Sequence, residues 1–132
     1  MVKIVRISHI GIAVKDWEQE VSRWRKFAKI EPEIENVPEQ GMKMAIFDFG
    51  NARIELIGST KETSPVHKYL HKRGTSMHHI CLAVNDLDST IEELKAENME
   101  MIDNQPRIGS GGHKIAFIHP KSFDGVLIEI SD

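Results

Sequence analysis

Two histidines and two glutamates recur at matching positions in the two halves of the chain. The segment HIGIAVKD at residues 9–16 reappears as HICLAVND at residues 79–86, with five of eight residues identical. Likewise, Ile-Glu-Leu at residues 54–56 reappears as Ile-Glu-Ile at residues 128–130. Two copies of a module that fold around a common centre would bring two imidazoles and two carboxylates together. That ligand set suits a divalent metal with open coordination positions, so the sequence predicts metal-assisted chemistry.

Each of these four side chains, taken alone, has an ordinary structural explanation. A single strand histidine is more often hydrogen-bonded at the surface or in the core, and a single strand glutamate usually faces water. The twofold recurrence favours metal binding, because chance would have to produce four matching positions. The predicted ligands of the metal are His9, Glu55, His79 and Glu129. Two oxygen and two imidazole ligands suit Co²⁺, Ni²⁺, Mn²⁺, Fe²⁺ or Zn²⁺, and the sequence does not select among them.

The remaining histidines are weaker candidates. His78 is the rival of its neighbour as a ligand, but both the repeat alignment and strand alternation select the neighbour. His67 and His71 are spaced i, i+4 on a predicted helix, where the absence of a Glu-x-x-His partner favours a solvated helix face. His113 and His119 flank a predicted strand, where they could approach a bound substrate.

The elements that position these residues follow from apolar periodicity. Each half begins with an alternating apolar run typical of a strand and continues with a helix. The first helix begins at Asp16, which is followed three residues later by a glutamine, and the second begins at Asp86 or Asp88. Both helices are expected to cover a sheet. Their predicted apolar stripes consist of Trp17, Val21, Trp24 and Phe27, and of Leu87, Ile91 and Leu94.

Strands are predicted after each helix, at residues 43–49 and 52–57 and at residues 114–119 and 125–130. Each half therefore reads as a βαβββ module, and the predicted fold class is α+β. Ser64 and Pro65 begin a short helix that Gly74 ends. The predicted organisation is one domain over residues 1–132, with modules at about 5–58 and 75–131 and a linking helix at about 64–73.

Strand alternation determines which side chains share a face with the predicted ligands. His9 is followed on its face by Gly11 and Ala13, and the matching strand places Cys81 and Ala83 after its histidine. These small residues leave volume above the sheet for a ligand. A charged residue in the middle of such a strand is costly to bury unless it is paired or bound to metal.

Composition limits the class of protein. The 132 residues are 40% apolar and 28% charged, which is typical of one soluble globular domain. A formal net charge of −3 without a long basic run gives no support for nucleic-acid binding. The chain has no apolar stretch long enough for a membrane span, and residues 1–6 lack the apolar region of a signal peptide. A single cysteine, Cys81, fits a reducing compartment, so we expect a cytoplasmic protein.

Two short motifs accompany the ligand pattern: Pro-Glu-Gln-Gly at residues 38–41 and His-Pro-Lys-Ser at residues 119–122. With them, the chain resembles the vicinal oxygen chelate superfamily over about residues 7–131 and, within it, the methylmalonyl-CoA epimerase family. The ligand pattern alone is shared with glyoxalases, whereas the two motifs favour the epimerases.

That resemblance implies paired βαβββ modules whose curved mixed sheet forms a metal-containing cup, commonly in a homodimer. It also implies a small-molecule acyl-CoA substrate, because the family interconverts the (R) and (S) forms of methylmalonyl-CoA. Removal of the C2 proton leaves an enolate, which a metal that chelates the thioester and carboxylate oxygens stabilises. Inversion then needs a proton donor and a proton acceptor on opposite faces of C2.

The predicted catalytic groups are Glu129 and Glu39. Glu129 could transfer a proton while bound to metal or could be a plain ligand, and Glu39 could be a base or a solvated loop residue. Some members of the family have a carboxylate where this chain has Met44, so the second proton-transfer group stays open. The candidate contacts to the substrate carboxylate or to CoA, with simple solvation as the alternative, are Lys114, Lys121 and Ser122.

Three other functions belong to the same superfamily. A glyoxalase I-type lactoylglutathione lyase acts on a hemithioacetal with the same four ligands, so it is the nearest alternative. A ring-cleaving dioxygenase normally uses two histidines and one carboxylate on iron, which the extra glutamate disfavours. An antibiotic-binding member needs no metal, which the retention of all four ligand positions disfavours.

Overall fold

The computed structural model describes residues 2–132, and over this range the chain has eight β-strands and three α-helices. The strands are β1 (Ile4–Ala13), β2 (Glu33–Val37), β3 (Met42–Asp48), β4 (Arg53–Ser59), β5 (Ser76–Val84), β6 (Arg107–Ile108), β7 (Lys114–Ile118) and β8 (Ile128–Ser131). The helices are α1 (Trp17–Ala28), α2 (Pro65–Arg73) and α3 (Leu87–Ala96). The orders β1-α1-β2-β3-β4 and β5-α3-β6-β7-β8 confirm the predicted α+β class with two βαβββ modules.

The described residues form two compact units. The first unit is His9–His78, and the second unit combines residues 2–8 with His79–Asp132. The second unit therefore takes its first residues from the beginning of β1, where Asn85 donates its backbone N–H to the Lys3 carbonyl at 3.3 Å. Within residues 2–132, no helix has the length and apolar composition needed to cross a membrane.

The first unit contains a mixed sheet in the order β2-β3-β4-β1. β1 runs parallel to β4, and β3 runs antiparallel to both of its neighbours. The predicted turn at Gly50 is present, because Phe49 donates to the carbonyl of Ala52 at 3.0 Å and Gly50 has a φ of 89°. This hairpin aligns β3 with β4 and so sets which side chains are neighbours of Glu55.

Helix α1 packs on one face of that sheet, against Phe47 and Leu56. Val21 is buried and Trp24 is partly buried, as predicted, but the expectation for Phe27 is wrong because its side chain is 80% exposed. Ala28 packs against the cluster in its place. Positions 17, 21, 24 and 28 follow the 3.6-residue period of a helix, from which residue 27 deviates by about 100°.

The opposite face of the same sheet is partly covered by α2. Val66 and Leu70 of this helix pack on Ala13, Met44 and Ile57. The helix has the predicted ends, since Ser64 accepts a hydrogen bond from the backbone of His67 at 3.0 Å and the N–H of Gly74 donates to Leu70 at 2.8 Å. The open volume expected above the small residues of β1 therefore stops at Ala13, which the helix covers.

The second unit contains a mixed sheet in the order β5-β8-β7-β6, with β5 parallel to β8. Helix α3 packs on one face through Leu87 and Ile91, with Leu94 partly buried, as predicted. Of the two possible N-caps, Asp86 is the one used, because its carboxylate accepts from the backbone N–H of Ser89 at 3.0 Å.

Two strand boundaries in the second unit differ from the predicted ones. β7 ends at Ile118, one residue early, because His119 donates its backbone N–H to the Glu100 carbonyl at 2.9 Å and Pro120 has no N–H to offer a neighbouring strand. β8 begins at Ile128 rather than at residue 125. A 3₁₀ turn over Pro120–Phe123 and positive φ angles at Asp124 and Gly125 occupy the intervening chain.

Candidate functional site

The first unit brings together the first predicted histidine and glutamate. In the register of β1 and β4, Gly11 lies opposite Glu55 and His9 lies opposite Arg53. Because alternate residues share a face, His9 and Glu55 lie on one side of the sheet with only a glycine between them. Both side chains are buried, and His9 Nδ1 lies 3.4 Å from Glu55 Oε2.

Arg53 contacts both members of this pair, and the sequence analysis gave it no role in the site. Its Nε lies 3.4 Å from Glu55 Oε2, and its Nη2 lies 3.3 Å from His9 Nδ1. A guanidinium only donates hydrogen bonds, so His9 Nδ1 is the acceptor in this contact. The signal was available in the sequence, since Arg53 precedes Glu55 by two residues and must share its face.

The second unit repeats the arrangement with the other predicted pair. Glu129 lies opposite Cys81 in the register of β5 and β8, two residues beyond His79. His79 and Glu129 are both buried, and His79 Nε2 lies 3.3 Å from Glu129 Oε1. The repeat in the sequence therefore corresponds to a repeat in local geometry, with one buried His–Glu pair in each unit.

Cys81 occupies the position between the members of the second pair, and its side chain is 0% exposed. Burial raises the pKa of the Cys81 thiol far above its usual range, and the charge of Glu129 raises it further. The thiol therefore stays protonated at neutral pH, which removes Cys81 from consideration as a nucleophile.

Glu39, the predicted second catalytic group, lies in a 3₁₀ turn over Pro38–Gln40 between β2 and β3, where it is exposed. Met44, where some members of the family have a carboxylate, is 2% exposed and packs in the apolar cluster with Ile57 and Val66. The buried volume at position 44 is thus filled by apolar groups.

The predicted substrate contacts lie on the second unit. Lys114 is exposed at the beginning of β7. The ammonium of Lys121 forms an ion pair with Glu100, and the hydroxyl of Ser122 bonds to both the N–H and the carbonyl of Glu100 at 3.1 Å. These bonds attach the turn after β7 to the segment that follows α3.

Each His–Glu pair offers one imidazole and one carboxylate in a buried position. A buried carboxylate is unfavourable unless charge or hydrogen bonds compensate it. Imidazole nitrogen and carboxylate oxygen are donors for divalent ions of intermediate softness, so the donor chemistry fits the predicted cation. Carboxylates of this kind can also accept a proton from a carbon acid.

Comparison with known proteins gives consistent matches. A family model described as Glyoxalase/Bleomycin resistance protein/Dioxygenase superfamily matches residues 8–117. The uncharacterized protein YqjC of Bacillus subtilis (strain 168) is 38% identical over 130 residues, which are 96% of this chain and 91% of that protein. The mitochondrial methylmalonyl-CoA epimerase of Dictyostelium discoideum is 33% identical over 131 residues, which are 98% of this chain and 79% of that protein.

Solved structures agree with the sequence matches. A methylmalonyl-CoA epimerase in complex with methylmalonyl-CoA and NH4⁺ superposes with a TM-score of 0.88 at 34% identity, over 98% of this chain and 94% of that chain. The likeness therefore extends over nearly the whole chain.

Proposed function

The chain belongs to the glyoxalase/bleomycin resistance protein/dioxygenase superfamily, and from that membership we propose that it interconverts the (R) and (S) forms of methylmalonyl-CoA. Its named relatives confirm the prediction of an epimerase-type enzyme. The observation that carries the choice of substrate is the relative solved with methylmalonyl-CoA, which is similar to this chain over almost its full length.

We propose that the two His–Glu pairs together hold one divalent metal ion, with His9, Glu55, His79 and Glu129 as its ligands. The support is the burial of both carboxylates, each within 3.4 Å of its imidazole partner. A cation bound there supplies positive charge that stabilises negative charge on the thioester oxygen.

The remaining chemistry is proton transfer at C2 of the substrate. One carboxylate removes the C2 proton, the electron pair of that C–H bond passes into an enolate, and a proton returns on the opposite face. Glu129 is proposed for one of these transfers because it is buried on the ligand-bearing face of the second unit. Glu39 is proposed for the other, from a turn whose exposure would let substrate reach its carboxylate.

The proposed substrate contacts use exposed charge. Lys114 is available to an anionic group at the beginning of β7, whereas Lys121 would exchange its bond to Glu100 for a phosphate or carboxylate of the substrate. Ser122 keeps its bonds to Glu100 and places the adjacent Lys121.

We also propose that the enzyme acts as a homodimer in the cytoplasm. Ile4, Val5 and Ile7 at the beginning of β1 are 60%, 55% and 50% exposed, an apolar stretch that a second copy would cover. The single buried cysteine fits a reducing compartment.

The experiment that tests the function is deuterium exchange at C2 of methylmalonyl-CoA in D₂O, followed by mass spectrometry. We expect exchange with the Co²⁺-loaded chain and a loss of at least about 100-fold in His79→Ala, since ligand loss removes the charge that stabilises the enolate. His67→Ala, on α2, is the matched control and should exchange at the wild-type rate. Turnover of methylglyoxal plus glutathione, without C2 exchange, would instead support the lyase.

The Co²⁺-loaded protein also tests whether one metal ion is bound and whether C2 exchange depends on it. We expect one Co²⁺ per chain and loss of C2 exchange after dialysis against a chelator, with recovery on Co²⁺ addition. Two equivalents of Co²⁺ per chain would contradict a shared ion, and undiminished exchange after exhaustive chelation would contradict metal dependence.

A further inference from the structure

Phe117 lies beside the second His–Glu pair. It is opposite Glu129 in the register of β7 and β8, so its ring is on the face that carries Glu129. The ring meets the His79 imidazole edge-on, with centroids 5.7 Å apart and planes at 81°. This edge-to-face arrangement is a favourable aromatic geometry.

Two further residues hold this ring in place. The guanidinium carbon of Arg107 lies 5.3 Å from the Phe117 ring centroid, a cation–π distance. Asp103 fixes both partners: one of its oxygens lies 3.1 Å from Arg107 Nε, and the other accepts the backbone N–H of Phe117 at 2.8 Å. The carboxylate of Asp103 is largely buried, so the ion pair is screened less than an exposed pair would be.

We propose that Asp103 and Arg107 are positioning residues that act on His79 through the ring of Phe117. The ring, which Arg107 also contacts, fixes the direction in which His79 presents Nε2 toward Glu129. This inference rests on the proposed function, in which His79 is a metal ligand. Hydrogen-bonding partners that orient a ligating histidine commonly change metal affinity by about 10- to 100-fold when they are removed, and residues that act one contact further away are expected to change it less.

The direction in which cation affinity changes when Arg107 is removed distinguishes a positioning role from a direct effect of its charge. Arg107 is a positive charge near a proposed cation site, so through its field alone its removal would strengthen cation binding. Positioning predicts the opposite, because a freely rotating imidazole loses rotational entropy when it binds the metal.

The experiment is calorimetric titration of the metal-free full chain with Co²⁺. For Arg107→Gln we expect binding weaker by about 3- to 10-fold, with a shift of the visible absorption band of bound Co²⁺. Arg25→Gln on α1 is the matched control, because Arg25 Nε also lies 3.1 Å from a carboxylate, that of Glu31, and the two arginines are 44% and 45% exposed. The control should bind like the wild type.

A double-mutant cycle then tests the route through the ring. Phe117→Leu should weaken Co²⁺ binding at least as much as Arg107→Gln, and the double variant should be no weaker than Phe117→Leu alone. Additive effects, or unchanged or tighter binding in Arg107→Gln, would overturn the inference while the wild-type titration still supported the metal site. Absence of Co²⁺ binding to the wild type would overturn the proposed metal site and this inference with it.

Discussion

The two glutamates of the repeat occupy matching positions but have different neighbours. Glu55 lies beside the Arg53 guanidinium, which donates toward one of its oxygens. Glu129 lies beside the neutral thiol of Cys81 and the His79 imidazole. Glu55 is proposed as a metal ligand only, whereas Glu129 is proposed both as a ligand and as a proton-transfer group, so Glu129 is the residue to substitute first.

Glu129→Gln is the residue-scale prediction that follows. An amide keeps the shape of the carboxylate but cannot accept the C2 proton and is a poorer metal ligand. We expect C2 exchange to fall by about 10² to 10⁴, the usual range for loss of a general base, together with weaker Co²⁺ binding. Exchange rate and metal content are measured on the same sample, and an unchanged rate would remove Glu129 from the mechanism.

Glu39→Gln is the comparison variant, because Glu39 is exposed and is proposed only as a base. Metal content should stay at the wild-type level while exchange from one of the two C2 epimers is lost. If both epimers still exchange, the second proton-transfer group lies elsewhere.

At the scale of elements, two aspartates at the beginning of α3 allow a matched test of helix capping. Asp86 is the N-cap residue and Asp88 is an acidic residue of the first turn, and only the Asp86 side chain caps the helix. Hydrogen bonds from the backbone N–H and hydroxyl of Ser89 lower the pKa of Asp86 below its ordinary value of 3.8. A lowered pKa means that the stabilisation is present above the unfolded-state pKa and is lost as pH falls through the lower, folded-state pKa.

Asp86→Ala should therefore lower the urea midpoint at pH 7, whereas Asp88→Ala should leave it nearly unchanged. The difference between the two variants should shrink as the pH falls from 3.8 through the lower, folded-state pKa of Asp86, because the capping carboxylate of the wild type then becomes protonated. Urea titrations at pH 7 and near pH 3 measure both effects. A difference that grows toward low pH would contradict capping by the charged carboxylate.

The repeat and the alternation of strands were enough to predict both βαβββ modules and to select His9, Glu55, His79 and Glu129, because alternation along a strand fixes the face of each side chain. The grouping of these residues into two His–Glu pairs was not predicted, since it depends on the pairing of β1 with β4 and of β5 with β8. Details within the elements were less well predicted. Phe27 was assigned to the buried face of α1 in place of Ala28, and the predicted start of β8 was three residues too early. The residues proposed to position His79 were not predicted. Asp103, Arg107 and Phe117 come together only through the pairing of β6 with β7 and the hydrogen bond from Phe117 to Asp103, which lies before β6.

At the scale of the whole molecule, the net charge of the chain has the same sign as the charge of the proposed substrate. The chain carries a formal net charge of −3, and an acyl-CoA is a polyanion, so long-range electrostatics do not favour association. The proposed contacts of Lys114 and Lys121 would therefore have to supply the local attraction. Raising the ionic strength should therefore weaken binding of the acyl-CoA, since short-range ion pairs with phosphate are screened while the weak overall repulsion contributes little.

If the proposed homodimer forms through the exposed apolar residues Ile4, Val5 and Ile7 of β1, its mass and its sensitivity to substitution can be predicted. Apolar side chains that are half exposed along one strand are unfavourable in water unless another surface covers them. The wild type should therefore have about twice the 15.0 kDa chain mass by light scattering after size exclusion. Val5→Glu should shift the mass toward 15.0 kDa, because a dimer would bury the new charge.

Phe27→Glu, at an 80% exposed apolar position on α1, is the control and should remain dimeric. A wild-type mass of 15.0 kDa, or equal dissociation of both variants, would contradict a dimer formed through β1.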